Sequence, residues 1–248
     1  MQYFWDHPPT TVPTRIFLDF DGTLAPLASI PPHAKLPAAT KRLLQKLLAV
    51  KKLKIFIVSG RALADIKTKV GLAGITYAGN HGMEWETGGR RSAVPVSVNA
   101  LAVLKTIENE MKKIGHVFPG AFVENKNFSV AFHYRRVKRD QKAALEKILD
   151  RRFAKYRRHR HVSLLLSEDV YDFRAETGWT KGEFVRHFAK GNIVYIGDSA
   201  TDEDVFRRLR DGITIRVGFS AQSAAKYFLK DEKDVRQFLR RLLRHTFS

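Results

Sequence analysis

No cysteine occurs anywhere in the 248 residues. Disulfides and thiolate metal sites are therefore excluded, and the lack fits a reducing cytoplasm, where the chain is expected to reside. Long apolar runs are missing too. None approaches the roughly 20 residues that a transmembrane helix needs, so no membrane partner is expected. Residues 1–10 contain no basic stretch leading into an apolar one, and no secretory signal is expected there. Acid is scarce relative to base: 25 Asp and Glu stand against 44 Lys and Arg, for a formal net charge of +19. The remaining composition, 44% hydrophobic and 28% charged, is that of a globular chain able to bury a core in one or two domains.

So large a positive charge raises the question of a nucleic-acid partner. Twelve Lys and Arg fall within residues 135–160, against only Asp140, Glu146 and Asp150. In the same segment Val137, Leu145, Ile148, Leu149 and Phe153 recur at helical spacing. The cations then form the solvated face of an amphipathic helix, and nucleic acid is not expected as a partner. The overall field would still draw in a dianionic phosphate ester.

The order of apolar runs predicts an α/β fold. Ile16 to Phe20, Leu53 to Val58 and Ile75 to Ala78 read as strands, with helices near 38–50 and 63–70 between them. Strand-helix-strand alternation implies a parallel sheet with helices on its faces. The rhythm changes between 88 and 176, where a long helix at 97–115, a hairpin at 122–134, the basic helix and two short strands at 161–174 form an αββαββ block. We read this block as an inserted α+β domain within a core made of 1–87 and 177–248. After it the first rhythm resumes, with a helix at 181–188, a strand at 192–196, a strand at 213–217 and a basic C-terminal helix.

Several core strands end in polar residues suited to chemistry. The first delivers Asp19 and Asp21, followed by Gly22 and Thr23. Side chains two apart on a strand share a face, so the two carboxylates would point the same way. Like charges that close repel by roughly 4 kcal/mol at an effective dielectric near 20, which calls for a cation or a shared proton. An oxygen-only site of this kind suits Mg²⁺. Alone, the Asp-x-Asp-Gly-Thr pattern equally describes a solvated turn. Ser59, the pair Asn80 and His81, and Asp198 end three further strands, and Lys181 opens a helix. The carboxyl ends of parallel strands form one edge, where ligands bind, so these residues are expected to converge.

Taken together, Asp19-x-Asp21-Gly-Thr, Val58-Ser59-Gly60-Arg61, Lys181 and Gly-Asp198-x-x-x-Asp202 resemble the four motifs of the haloacid dehalogenase superfamily. Gly79-Asn80-His81-Gly82-Met83-Glu84, Glu124-Asn125-Lys126, His133-Tyr134-Arg135 and Thr201-Asp202-Glu203-Asp204 resemble trehalose-6-phosphate phosphatases more narrowly, from about residue 15 to 240. The resemblance implies a Rossmann-like core with a substrate-specificity cap, and Mg²⁺-dependent hydrolysis of trehalose 6-phosphate. It implies Asp19 as the nucleophile that becomes an aspartyl phosphate, and Asp21 as the acid that protonates the leaving oxygen and then deprotonates water. Mg²⁺ would be held by Asp19, the Asp21 carbonyl and Asp198, with Asp202 orienting a metal-bound water. Ser59 and Lys181 would bind the transferring phosphoryl oxygens.

The insert would contact the sugar. Glu124 and Lys126 offer the acceptor and the donor that a polyol needs, or they pair with each other beside a turn. Arg135, Asn80 and His81 are further candidates for the substrate, and Arg61 reaches either the substrate phosphate or a structural ion pair. Glu203 and Asp204 read as charges favoured at a helix N-terminus. Two departures from the family pattern stand out. Ser199 occupies the place of a second acid, and Asp172 replaces the Glu of Glu-x-Arg-Pro. Related phosphatases of sucrose phosphate, mannosyl-phosphoglycerate or glucosylglycerol phosphate remain alternatives, as does a polyanion-binding protein on a weakened phosphatase scaffold. No sequence feature fixes the oligomeric state, and a monomer is the expectation.

Overall fold

The computed structural model describes residues 1–28 and 33–246. In chain order its elements begin with β1 (Gln2–Tyr3), β2 (Arg15–Leu18), α1 (Ala38–Leu48), β3 (Lys54–Val58), α2 (Leu63–Val70) and β4 (Thr76–Gly79). Next come β5 (Glu84–Thr87), β6 (Arg90–Ala93), α3 (Val98–Val117), β7 (Phe122–Asn125), β8 (Ser129–His133) and α4 (Arg139–Phe153). The chain then runs through β9 (Val162–Ser167), β10 (Val170–Ala175), α5 (Lys181–Phe188) and β11 (Ile193–Gly197). It closes with α6 (Glu203–Arg208), β12 (Ile213–Val217), β13 (Tyr227–Leu229) and α7 (Glu232–Thr246). Two compact units result: Met1–Ala93 with Trp179–Ser248, and Val94–Gly178. No helix of the described residues is long and apolar enough to cross a membrane.

The first unit is built on a nine-stranded sheet in the order β1-β13-β12-β11-β2-β3-β4-β5-β6. Every pairing from β1 to β4 is parallel, and β5 and β6 add an antiparallel edge. Helices on both faces explain why the central strands read as continuous apolar runs rather than alternating ones. Ile16, Leu18, Ile55 and Ile57 pack on one side with residues of α1, α2 and α7. Phe17, Phe56, Val58 and Tyr195 pack on the other with Phe184, Val185, Val205 and Phe206 of α5 and α6. The Phe17 and Phe56 rings stack there with centroids 4.3 Å apart.

The hairpin of β5 and β6 corrects one expected boundary. Residues 88–93, assigned from sequence to the insert, belong to the core unit, because β5 pairs with β4 and β6 with β5. Its turn is Gly88-Gly89, both with positive φ, the glycine pair that a tight hairpin favours. The two-residue β1 and three-residue β13, both too short to carry a sequence pattern, close the opposite edge.

The second unit is a four-stranded antiparallel sheet, β7-β8-β10-β9, with α3 and α4. Ser97 caps α3 by accepting from the amide of Ala100. Leu104, Ile107 and Met111 of α3 and Leu145, Leu149 and Phe153 of α4 are buried. Phe153 meets Phe173 of β10 at 5.4 Å between centroids. One face of this sheet therefore holds the apolar residues Val130, Phe132 and Phe173. The other carries the row Glu124, Ala131 and Asp172, directly paired across β7, β8 and β10.

Candidate active site

The site begins where β2 ends. The Asp19 amide still donates to the Ile196 carbonyl at 2.9 Å, so the sheet ladder holds the backbone of this residue. Beyond it Gly22 turns with φ +78, and a Cβ there would lie 2.1 Å from Asp198 Oδ2. Only glycine allows Asp198 to approach this loop. A Cβ on Gly197 would likewise lie 2.4 Å from Asp202 Cγ. The two glycines let acids from separate loops crowd against Asp19.

That crowding makes a cluster. Asp19, Asp198 and Asp202 each offer a carboxylate oxygen, all within 4.8 Å of one another. Lys181, at the first position of α5, sits 2% exposed and bridges two of them, with Nζ 2.7 Å from Asp19 Oδ1 and 2.8 Å from Asp202 Oδ1. Thr180 caps this helix and also donates to Asp204 Oδ2 at 2.5 Å, tying α5 to the first turn of α6. Asp204 and Glu203 thus do more than favour a helix dipole. Glu203 accepts from Arg216 at 2.8 Å and from the Ala224 amide at 2.9 Å.

Electrostatics follow from three buried acids sharing one ammonium. Burial pushes the Asp19 carboxyl well above its ordinary value; Lys181 pulls it down, and the charges of Asp202 and Asp198 add to the rise. Burial and then Asp202 push Asp198 up to about 6. Burial opposes the charge on Lys181, but Asp19 and Asp202 outweigh it and hold the ammonium above its usual value. Asp202 is buried as well, yet Lys181 and three further donors keep it below the usual carboxylate range.

An oxygen-only cluster with surplus negative charge fits a hard divalent cation. The fit has a specific mark: Asp198 Oδ1 is buried and has no hydrogen-bond partner. Asp202 is different. Its Oδ1 accepts from Lys181 and, at 2.5 Å, from Tyr195, while its Oδ2 accepts from the Ser199 amide at 2.9 Å and the Ser199 hydroxyl at 2.6 Å. Four donors fill a carboxylate's acceptor positions. The residue expected to orient a metal-bound water thus also anchors Lys181. Ser199 is one of the hands that hold it. Tyr195 escaped the sequence reading because a tyrosine inside an apolar strand looks like core, and only its position two residues before Gly197 places it beside Asp202.

Asp21 is not in the acidic cluster. Its two oxygens accept from Arg61 Nε at 2.7 Å and Nη2 at 2.6 Å, a bidentate pair, and Arg61 Nη1 reaches Asp65 at 2.8 Å. Of the two roles weighed for Arg61, the structure thus displays the ion pair. Ser59 is buried, and its hydroxyl accepts from the Arg61 amide at 3.2 Å. Asn80 and His81 take left-handed backbone with φ 48 and 58, a strained choice for two successive non-glycine residues. The strain folds them onto the Ser59 loop: the Asn80 amide donates to Arg61 O and the His81 amide to Ser59 O. Asn80 Nδ2 also donates to Glu84 Oε1 at 2.7 Å, which accepts from the Leu63 amide opening α2. These residues brace the loop that carries Ser59.

In the second unit Glu124 accepts or shares a proton with His133 Nε2 at 2.9 Å, and the Phe122 ring stacks on His133. Lys126 meets Asp172 at 3.3 Å in a buried pair. Arg174 Nε also lies 3.6 Å from Asp172 Oδ2, an ion pair too long for a hydrogen bond, and Asp172 Oδ1 and Arg174 Nη2 are buried without hydrogen-bond partners. Arg135 departs from expectation: β8 ends at His133, and Arg135 lies beyond it in an exposed pair with Glu168 at 2.8 Å.

Comparison with known proteins agrees with this geometry. The family described as trehalose-phosphatase matches residues 17–233. The chain belongs to the trehalose-phosphatase family. It is 35% identical over 204 residues to a trehalose-phosphate phosphatase of Mycobacterium tuberculosis, covering 77% of this chain and 50% of that protein. With the trehalose-phosphate phosphatase of Mycobacterium marinum it is 33% identical over 255 residues, covering 94% and 62%. The chain thus spans between half and two thirds of the length of these relatives. Among solved structures, a trehalose-6-phosphate phosphatase related protein superposes with TM-score 0.81 at 26% identity, over 94% of this chain and 98% of that one. The C-terminal domain of the trehalose-6-phosphate phosphatase of C. albicans, at 24% identity and TM-score 0.79 over 92% and 91%, shares the fold.

Proposed function

We propose that the chain hydrolyses trehalose 6-phosphate to trehalose and phosphate, in the cytoplasm and with Mg²⁺, by way of a phosphorylated Asp19. The observation that carries the reading is the buried chain Asp19–Lys181–Asp202 beside an Asp198 oxygen left without a partner. A buried acid cluster of this kind is costly unless it serves charge, and active sites are where such cost is tolerated.

In the first step an Asp19 carboxylate oxygen attacks phosphorus and the bond from phosphorus to the sugar oxygen breaks. Asp21 delivers a proton to that leaving oxygen, for which its carboxyl must leave Arg61; Arg61 then fixes where the carboxylate returns. In the second step water attacks phosphorus, Asp21 takes its proton, and Asp19 leaves with inorganic phosphate released. Asp19, Asp198 and the Asp21 carbonyl would hold Mg²⁺, whose chemistry when bound is to neutralise the phosphoryl oxygens. Lys181 keeps Asp19 oriented and places a fixed positive charge at the transferring group, and Ser59 supplies a hydroxyl to it. The relatives' printed names, together with the polar row of Glu124 and Asp172 with Lys126, support a disaccharide as the alcohol.

Phosphate release measured with Mg²⁺ across trehalose 6-phosphate, sucrose 6-phosphate, glucose 6-phosphate and glucosylglycerol phosphate tests this. A preference of a hundredfold for trehalose 6-phosphate, about 2.7 kcal/mol of discrimination, is expected. Equal turnover of all four would discard the substrate while keeping Asp19 chemistry.

A further inference from the structure

The chemistry above needs no charge of +19. Residues 135–160 carry nine of those charges, twelve Lys and Arg less three acids. Four of the twelve are in ion pairs: Arg135 with Glu168, Lys142 with Asp169, Arg152 with Glu110 and Arg157 with Asp150. Among the rest, Lys147, Arg151, Lys155 and Arg158 are exposed and, among the described residues, in no close ion pair, with Lys155 acting on Glu110 only at longer range.

Lys147 and Arg151 are one turn apart on one face of α4, about 40° apart at 100° per residue. Lys155 follows in the 3-10 turn Ala154–Tyr156, and Arg158 in the turn beyond it. Leu145, Leu149 and Phe153 point to the opposite side, into the unit's core. Ala154, exposed, lies between Arg151 and Lys155 and adds no bulk there. Beside them, Arg151, Arg152, Ala154, Lys155 and Tyr156, with Ile148 and the Arg152-paired Glu110, line a shallow hollow of about 680 Å³.

We propose that this row binds the phosphate backbone of a nucleic-acid duplex without reading its bases. Three partner classes compete for a cationic surface, and the composition of the face separates them. A protein partner would need aromatic or apolar anchors at the centre, where lysine is depleted. Ile148 is the one large apolar side chain of α4 that is exposed, at 42%. An anionic membrane would take an amphipathic helix by its apolar face, which here is already buried. Single strands are held by stacking on exposed rings, and Tyr156 is 6% exposed with Lys155 over its ring. Duplex phosphate is the partner whose affinity can come from charge alone.

The test is fluorescence anisotropy of a labelled 20-base-pair duplex of arbitrary sequence with the full chain, between 50 and 300 mM NaCl. Two variants separate the row from bulk charge. One replaces Lys147, Arg151, Lys155 and Arg158 by Gln; the other replaces Lys51, Lys52, Lys190 and Arg240, exposed cations of the first unit, and lowers the net charge equally. The row variant should lose at least tenfold in affinity at 100 mM NaCl and up to about 3.6 from the slope of log K against log salt, at 0.9 for each of four phosphate contacts. The control should lose less than threefold, and both should keep wild-type turnover of trehalose 6-phosphate. Equal losses in the two variants, or no duplex binding by the wild type at 100 mM NaCl, would overturn the proposal. Binding to phosphatidylserine vesicles in place of duplex would overturn it too.

Discussion

The hydroxyl of Tyr195 donates to Asp202 Oδ1 at 2.5 Å, and the same oxygen accepts from Lys181 at 2.8 Å. One core tyrosine therefore helps to fix the cation that bears on Asp19. In Tyr195→Phe the ring still fills its place, but a buried carboxylate loses one of its four donors, at a cost of about 1–3 kcal/mol. Lys181 gains freedom while the substrate's sugar contacts are untouched. The expected result is a fall of about tenfold or more in kcat with KM within twofold, measured on trehalose 6-phosphate. Equal change in both constants would leave Tyr195 a packing residue only.

Asp19→Asn removes the nucleophile and also one of three crowded carboxylates. Turnover should drop below detection, whereas stability without metal should hold or rise, since the wild-type carboxyl is buried against Asp202 and Asp198. Thermal melts in EDTA read the second half directly. A melt several degrees below wild type would mean that the ion pair with Lys181 outweighs burial, contrary to the direction given above.

Metal and pH should be coupled with a definite sign. Asp198 is raised from 3.8 to about 6, so between these values the folded state keeps a proton that the unfolded chain has released. In EDTA, stability should therefore fall as pH rises from about 4 through about 6, by on the order of 3 kcal/mol from this group. A divalent cation displaces that proton, so the gain in melting temperature on adding Mg²⁺ should be small at pH 5 and large at pH 7.5. Calorimetry in buffers of different ionisation enthalpy should find protons released on binding near pH 6. A gain independent of pH would separate Asp198 from the metal.

Much of this was legible in the chain because the core obeys local rules. The helices 63–70 and 181–188 and the strand 213–217 sit at their expected limits, each bounded by a turn signal or a run of apolar residues. Strand ends converge because a parallel sheet leaves them no alternative, which is how Asp19 and Asp198 could be named together from residues far apart in sequence, with Lys181 at the helix start beside them. Pairings were less legible. That Arg61 binds Asp21 and Lys126 binds Asp172 depends on side-chain reach across elements, and no spacing rule encodes it. Tyr195 shows the same limit from inside a strand, where hydrophobic patterning records its ring and is silent about its hydroxyl.

The pairing of Lys126 with Asp172 also makes the sugar contacts testable apart from the phosphoryl chemistry. Asp172 is 5% exposed, one of its oxygens has no hydrogen-bond partner, and Glu124 stands in the same cross-strand row. A polyol hydroxyl could satisfy what the sheet leaves open, and such a contact is made by a disaccharide and missed by a small phosphate ester. Glu124→Gln and Asp172→Asn keep shape and remove charge. Each should raise KM for trehalose 6-phosphate about tenfold, roughly 1.4 kcal/mol, and leave kcat/KM for p-nitrophenyl phosphate within threefold. Lys126→Met serves as the harder case, since it leaves Asp172 buried without its ammonium and should also cost several degrees of melting temperature. Loss of equal size on both substrates in the two carboxylate variants would place Glu124 and Asp172 outside sugar recognition and return the specificity question to the other residues of the second unit's polar face, Ser129 and Arg174.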